Sequence, residues 1–144
     1  MLDSSASVRD TLMSLRDSGV HVAVDDFGTG YASLRYVKHF PMDTIKIDRE
    51  FVRGLPLDVH NAAITNSIVA LARSLKLGVV AEGVETDAEQ EFLRSLECEV
   101  VQGFLHARPL EAPDFEAWFL GRKSRAVRSR PAVAQGADPF DQPT

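Results

Sequence analysis

The chain has 144 residues, of which 44% are hydrophobic and 26% charged, and its net charge at pH 7 is -5. This is the composition of an ordinary soluble globular domain, and it excludes collagen, a mucin-like stalk and a wholly disordered chain. No apolar run approaches the roughly 18 residues of a membrane span, and the single cysteine, Cys98, excludes an intrachain disulfide and a Cys-rich zinc site. The start, Met1-Leu2-Asp3-Ser4-Ser5, carries neither a basic nor an apolar signal-peptide region, so the expected location is cytoplasmic. Charge is unevenly spread: residues 1–120 hold 11 basic and 19 acidic residues, and residues 121–144 hold five basic and two acidic. An acidic body argues against a nucleic-acid polymer as partner and suits a site that holds phosphate through a cation.

Residues 4–18 place Val8, Leu12 and Leu15 on one helical stripe that stops at Gly19. Val20–Val24 is short and β-branched and predicts a strand ending at Asp25-Asp26, followed by the turn Phe27-Gly28-Thr29-Gly30. Tyr31–Phe40 predicts a helix stopped by Pro41, and Thr44-Ile45-Lys46-Ile47-Asp48 alternates as a strand does. Ile64, Ile68, Leu71, Ala72 and Leu75 form one face of a long helix. Gly78–Ala81 then leads into Glu82. Thr86-Asp87-Ala88-Glu89 is a capping box that starts a helix with Ala88, Phe92 and Leu96 inward. Val100-Val101 leads to Gln102, and a last helix is expected around Asp114–Leu120. Residues 121–144 contain Pro131, Pro139, Pro143 and Gly136 and read as a disordered tail after a folded body of residues 1–120.

The polar residues Asp25, Lys46, Glu82 and Gln102 close the four strands at spacings of 21, 36 and 20 residues. Such spacing fits successive βαβ units, hence an α/β fold with parallel strands and right-handed crossovers. A doubly wound sheet and a TIM barrel both use this pattern, and a whole barrel needs about 250 residues. Parallel strands bring their carboxyl ends to one side, where ligands bind. Asp25, Asp26 and Glu82 are oxygen ligands suited to Mg²⁺ or Mn²⁺, and adjacent carboxylates favour a cation between them. Lys46 can orient a water or neutralise a phosphate oxygen, or else guard a sheet edge against pairing. The set is equipment for metal-assisted phosphoryl transfer. The histidines, His21, His39, His60 and His106, have no metal-ligand spacing. Gly28-Thr29-Gly30 only echoes a dinucleotide loop, because the third glycine of that pattern is Ser33.

Four segments carry a resemblance: Asp25-Asp26-Phe27-Gly28-Thr29-Gly30-Tyr31, Lys46-Ile47-Asp48, Ala81-Glu82-Gly83-Val84-Glu85-Thr86, and Gln102-Gly103-Phe104-Leu105 with Arg108-Pro109-Leu110. In this order and spacing they resemble the EAL family, whose TIM-barrel domains hydrolyse the bacterial second messenger cyclic di-GMP to linear pGpG with two Mg²⁺ or Mn²⁺ ions. The resemblance implies metal ligation by Asp25, Asp26 and Glu82, and catalytic roles for Asp26, Lys46 and Glu82. It implies a mobile loop at Phe27, Gly28, Thr29 and Gly30, which in the family also joins a dimer interface, with Glu85 supporting it. Gln102, Arg108 and Pro109 would face substrate.

The family's Glu-Ala-Leu strand, and an asparagine and a further glutamate on the strands after it, have no counterpart here; Glu91-Phe92-Leu93 lies inside an amphipathic helix. The expected architecture is therefore the C-terminal half of a (β/α)8 barrel, strands five to eight. Open strand edges predict a homodimer or pairing with the N-terminal half. The alternative to a phosphodiesterase module is a truncated EAL module that binds nucleotide or protein without turnover, or a gene fragment.

Overall fold

Four short strands pair side by side because β-branched runs recur after each helix. In the computed structural model, which describes residues 3–29, 34–98 and 100–128, β1 (Ala23–Phe27), β2 (Thr44–Ile47), β3 (Gly78–Glu82) and β4 (Val100–Gln102) form one sheet in that order. All three pairings are parallel. Parallel neighbours need a crossover, and helices supply each one: α2 (Leu34–His39), then α3 (Arg49–Val52) with α4 (Val59–Ser74), then α5 (Asp87–Ser95). α1 (Asp3–Asp17) precedes the sheet. The expected α/β order of a helix and four strand–helix units is the order observed.

Two compact units divide the chain, Met1–Arg108 and Pro109–Thr144. The second contains α6 (Ala112–Arg128), in which Phe115 packs against Trp118 and Phe119. α6 continues eight residues past Leu120, into the stretch expected to start the tail, and residues 129–144 lie outside the described residues.

The core of the first unit lies between the sheet and its helices. Ile45, Ile47 and Ala81 on the two inner strands are fully buried, with Val52, Ile68, Val69, Ala72, Val84 and Leu93 around them. Side-chain bonds to backbone fix the β2–β3 crossover. Asp58 caps α4 by accepting from the His60 and Asn61 amides, Asn61 donates to the Glu50 and Arg53 carbonyls, and buried Thr65 donates to the Phe51 carbonyl. These bonds lock α3 onto α4.

Three details depart from the periodicity reading. On α5, Ala88 is exposed and the buried positions are Glu89 and Leu93, with Phe92 and Leu96 half-buried. On α1, Val8 and Leu15 are exposed; on α4, Ile64 and the C-cap residue Leu75 are exposed while Thr65 is buried. β1 begins three residues later than predicted, so Asp25-Asp26 lies within the strand and not after it.

β1 and β4 are the two edges of this sheet. Their outward N–H and C=O groups can template pairing with another chain. The 144-residue chain studied by itself is expected to self-associate; light scattering that finds a monomer with cooperative unfolding would count against this.

Candidate metal and phosphate site

The carboxyl ends of β1, β2 and β3 converge, and the irregularity in β1 is what builds the site. Val24 pairs with Ile45 and Phe27 with Ile47, so β1 spends one more residue than β2 across this stretch. Asp26 takes up the extra residue in the left-handed region, at φ 50°. Successive residues of a regular strand face opposite ways; across the bulge Val24 and Phe27 are both buried while Asp25 and Asp26 are both exposed. Two neighbouring carboxylates therefore reach one mouth. Left-handed backbone at a non-glycine residue costs on the order of 1 kcal/mol and persists where surroundings impose it. The Thr29 amide and hydroxyl both donate to the Asp26 carbonyl, at 3.2 and 2.8 Å, and hold the turn.

Lys46 sits on β2, between β1 and β3, so it guards no edge. Its Nζ lies 2.8 Å from Asp25 Oδ1 and 2.5 Å from Glu82 Oε1. Glu82 is the last residue of β3 and Gln102 the last of β4, and the two pair in register. Hydrogen bonding from Lys46 holds the Asp25 carboxyl below its ordinary range. Donating to Asp25 and then to Glu82 raises the Lys46 ammonium well above its own range, so it stays charged. Asp26 moves the other way: desolvation comes first, then the charge of Asp25, a carboxyl–carboxyl hydrogen bond with Asp48 and the charges of Asp48 and Glu82.

Asp48 is the residue that the sequence reading left out of the site. It is the N-cap of α3, accepting from the Glu50 amide at 2.7 Å, and its carboxyl faces Asp26. The signal was the Lys46-x-Asp48 alternation, which places both at the exit of one strand.

One carboxylate oxygen each from Asp25, Asp26 and Glu82 lies within 4.8 Å of the others. Oxygens on opposite sides of a Mg²⁺-sized ion stand about 4.2 Å apart, from bonds of about 2.1 Å. The separations in this donor set are close to that span, and hard oxygen donors are the right kind for Mg²⁺ or Mn²⁺. The residues fit the group.

The remaining expected positions surround this centre. Phe27 is buried, and Gly28 has φ 105° with its Cα against the Phe51 ring, where a side chain would collide. Gly30 lies outside the described residues. Glu85 is exposed, and its amide donates to Glu89; among the described residues its side chain makes no hydrogen bond or ion pair with Phe27–Thr29. The Arg108 guanidinium stacks 4.5 Å over the exposed Phe104 ring. Pro109 belongs to the second unit. A cavity of about 580 Å³ lies elsewhere: Val20, His21 and Asp43 line it at the amino ends of the strands, away from Asp25, Asp26 and Glu82.

Glu89 also ties this region to pH. Burial pushes its carboxyl up, but the Glu85, Gly54 and Thr86 amides outweigh that and hold it below the ordinary range. A depressed carboxyl contributes stability above its unfolded pKa of about 4.3, and that stability is lost as pH falls through the folded value. Glu89→Gln is expected to flatten the acid limb of a urea-stability profile below about pH 4.3; an unchanged limb would remove Glu89 as its cause. Asp26, shifted upward, acts with the opposite sign.

A parallel α/β scaffold that gathers three carboxylates and a lysine at its strand ends is thus defined. The EAL domain family model matches residues 1–109, and the chain belongs to that family. The bifunctional diguanylate cyclase/cyclic di-GMP phosphodiesterase MucR of Pseudomonas aeruginosa is 52% identical over 112 residues, which cover 78% of this chain and 16% of MucR. The crystal structure of the Mycobacterium smegmatis DcpA EAL domain matches with TM-score 0.75 at 41% identity, over 83% of this chain and 52% of that one. A manganese and cyclic di-GMP complex of Klebsiella pneumoniae BlrP1 matches with TM-score 0.66 at 42% identity, over 71% of this chain and 26% of that one. The chain therefore spans about half of the solved DcpA EAL domain, and its four strand–helix units match part of the EAL barrel.

Proposed function

We propose that this chain supplies the Asp25–Asp26–Lys46–Glu82 portion of a cyclic di-GMP phosphodiesterase site, yielding linear pGpG. The observation that carries the reading is the convergence of three carboxylate oxygens around a lysine already bonded to two of them. BlrP1, similar in this region, is known as a manganese and cyclic di-GMP complex. Asp25, Asp26 and Glu82 would hold Mg²⁺ or Mn²⁺, which when bound lowers the pKa of a water and stabilises charge on phosphoryl oxygens. Lys46 keeps its proton and presents a fixed positive charge to a phosphate oxygen or the attacking water. Gln102 offers an amide beside Glu82, and the Phe104–Arg108 stack offers a flat cationic face at the exit of β4. The Gly28 turn follows directly on the end of β1, beside Asp25 and Asp26.

Two-metal hydrolysis also draws on ligands from strands that this chain does not carry. The test is hydrolysis of cyclic di-GMP with Mg²⁺ or Mn²⁺, with Ca²⁺ as control, by the 144-residue chain and by the chain supplied with the N-terminal half of an EAL barrel. The expected result is no turnover alone and metal-dependent pGpG formation by the pair. Binding of cyclic di-GMP without turnover under either condition would favour a non-catalytic nucleotide-binding module instead.

A further inference from the structure

Glu89 is 5% exposed, yet its carboxylate is fully used. Oε2 accepts from the Glu85 amide at 2.9 Å and the Thr86 amide at 3.0 Å, and Oε1 accepts from the Gly54 amide at 3.2 Å. The Glu85 and Thr86 amides belong to the turn that leaves Glu82. Gly54 follows α3, whose N-cap Asp48 faces Asp26. One side chain thus clamps the exit of β3 to the end of α3, the helix that follows β2.

The turn is gripped from two further sides. At Gly83, φ 70°, the chain passes so close to Arg49 that a side chain would overlap it. Val84 donates to the Gln102 carbonyl at 3.1 Å and accepts from the Leu105 amide at 3.0 Å. Packing against Arg49 and pairing with the β4 exit leave rotation of the Glu85–Thr86 peptides to be stopped, and the Glu89 carboxylate stops it. A buried anion held by three amides from two loops is stiff, because releasing it strands both the charge and its donors.

We infer that Glu89 is a positioning residue for the metal site: it sets the direction in which Glu82 leaves β3, and the distance from Glu82 to Asp25 and Asp26. This goes beyond the helix-capping role that the Thr86–Glu89 box alone describes, since the bond to Gly54 caps nothing. The inference rests on the proposed cation site.

The test uses the 144-residue chain and Mn²⁺ alone, with affinity read by electron paramagnetic resonance and amide exchange at residues 83–86 read by NMR. Leu93→Ala is the control, a cavity in the same helix at a fully buried residue that bonds to neither loop. At a temperature where both variants are folded, Glu89→Ala is expected to weaken Mn²⁺ about tenfold and to speed exchange at Glu85 and Thr86. Leu93→Ala should change affinity less than twofold. Glu89→Asp retains the charge but falls short of Gly54; it gives a smaller loss in the same direction and serves if the alanine variant does not fold. Glu89→Gln keeps an acceptor for Glu85 and Thr86 but turns a donor toward the Gly54 amide, so it too gives an intermediate loss of affinity. Equal weakening by Glu89→Ala and Leu93→Ala, or unchanged affinity and exchange in Glu89→Ala, would overturn the inference. Absence of Mn²⁺ binding by the unaltered chain would overturn the proposed site instead, and the exchange data would then decide whether Glu89 orders the turn.

Discussion

Asp25→Asn, in the chain paired with the N-terminal half of an EAL barrel, is expected to lower the rate of cyclic di-GMP hydrolysis by about 10²–10⁴, the equivalent of about 3–5 kcal/mol of lost transition-state stabilisation. The substitution is nearly isosteric and leaves an oxygen that can still accept from Lys46, so the fold has no reason to change. Charge is what it removes. Asp25 bonds to Lys46 and presents an oxygen to the Asp26 and Glu82 group. With one carboxylate neutralised, the group attracts a cation less, and among the described residues Glu82 holds the only charge paired to Lys46. Glu82→Gln removes the other carboxylate paired to Lys46 and should cost a similar factor. The rates should be measured at Mn²⁺ concentrations high enough to saturate the unaltered protein and then raised tenfold, which separates lost affinity from lost chemistry. A rate within threefold of the unaltered pair at both concentrations would take Asp25 out of the catalytic set.

Gly103→Ala should destabilise the first unit by about 3 kcal/mol, the upper end for forcing atoms into a packed region. A Cβ at Gly103 would overlap the nitrogen, carbonyl carbon and oxygen of Val84, which are backbone atoms and cannot rotate aside as the end of a side chain can. The Gly83–Thr86 turn must then shift as a body, and Glu82 with it, so weaker Mn²⁺ binding should accompany the lower urea midpoint. Gly121→Ala is the contrasting case. Gly121 lies in α6 with open space where the Cβ would stand, and alanine there should raise helix stability by about 0.5–1 kcal/mol. If the two glycine variants proved equally stable, close approach at Gly103 would not be what holds the turn.

The parts of the architecture that depend on local pattern were legible in the residues. Thr86 and Glu89 do form a reciprocal capping box at the start of α5. Polar residues close β3 and β4, Lys46 and Asp48 flank the last residue of β2, and four spaced motifs name the family. The face of α5 was misjudged because Glu89, a charged residue, lies inward beside Leu93. Hydrophobic periodicity cannot anticipate a buried carboxylate whose partners are amides of two distant turns. α3 was missed because four residues carry no periodicity; its Asp48 cap and its bonds to Asn61 and Thr65 hold it.

Sequence by itself determined the chemistry on offer: carboxylates at Asp25, Asp26 and Glu82, an ammonium at Lys46, and an alternation of strands and helices that brings strand ends to one side. Residue type and period are local properties, and one chain suffices to read them. Only the tertiary structure decided that both aspartates face the same mouth, since a regular strand would have sent them to opposite faces. The bulge opposite Ile45–Ile47 and the left-handed backbone at Asp26 arise from pairing with a strand some twenty residues away. The coupling of Asp26 to Asp48, and of Glu89 to Gly54, has the same origin. Each joins two loops that no local preference relates, and each exists because parallel pairing sets β1, β2 and β3 in register.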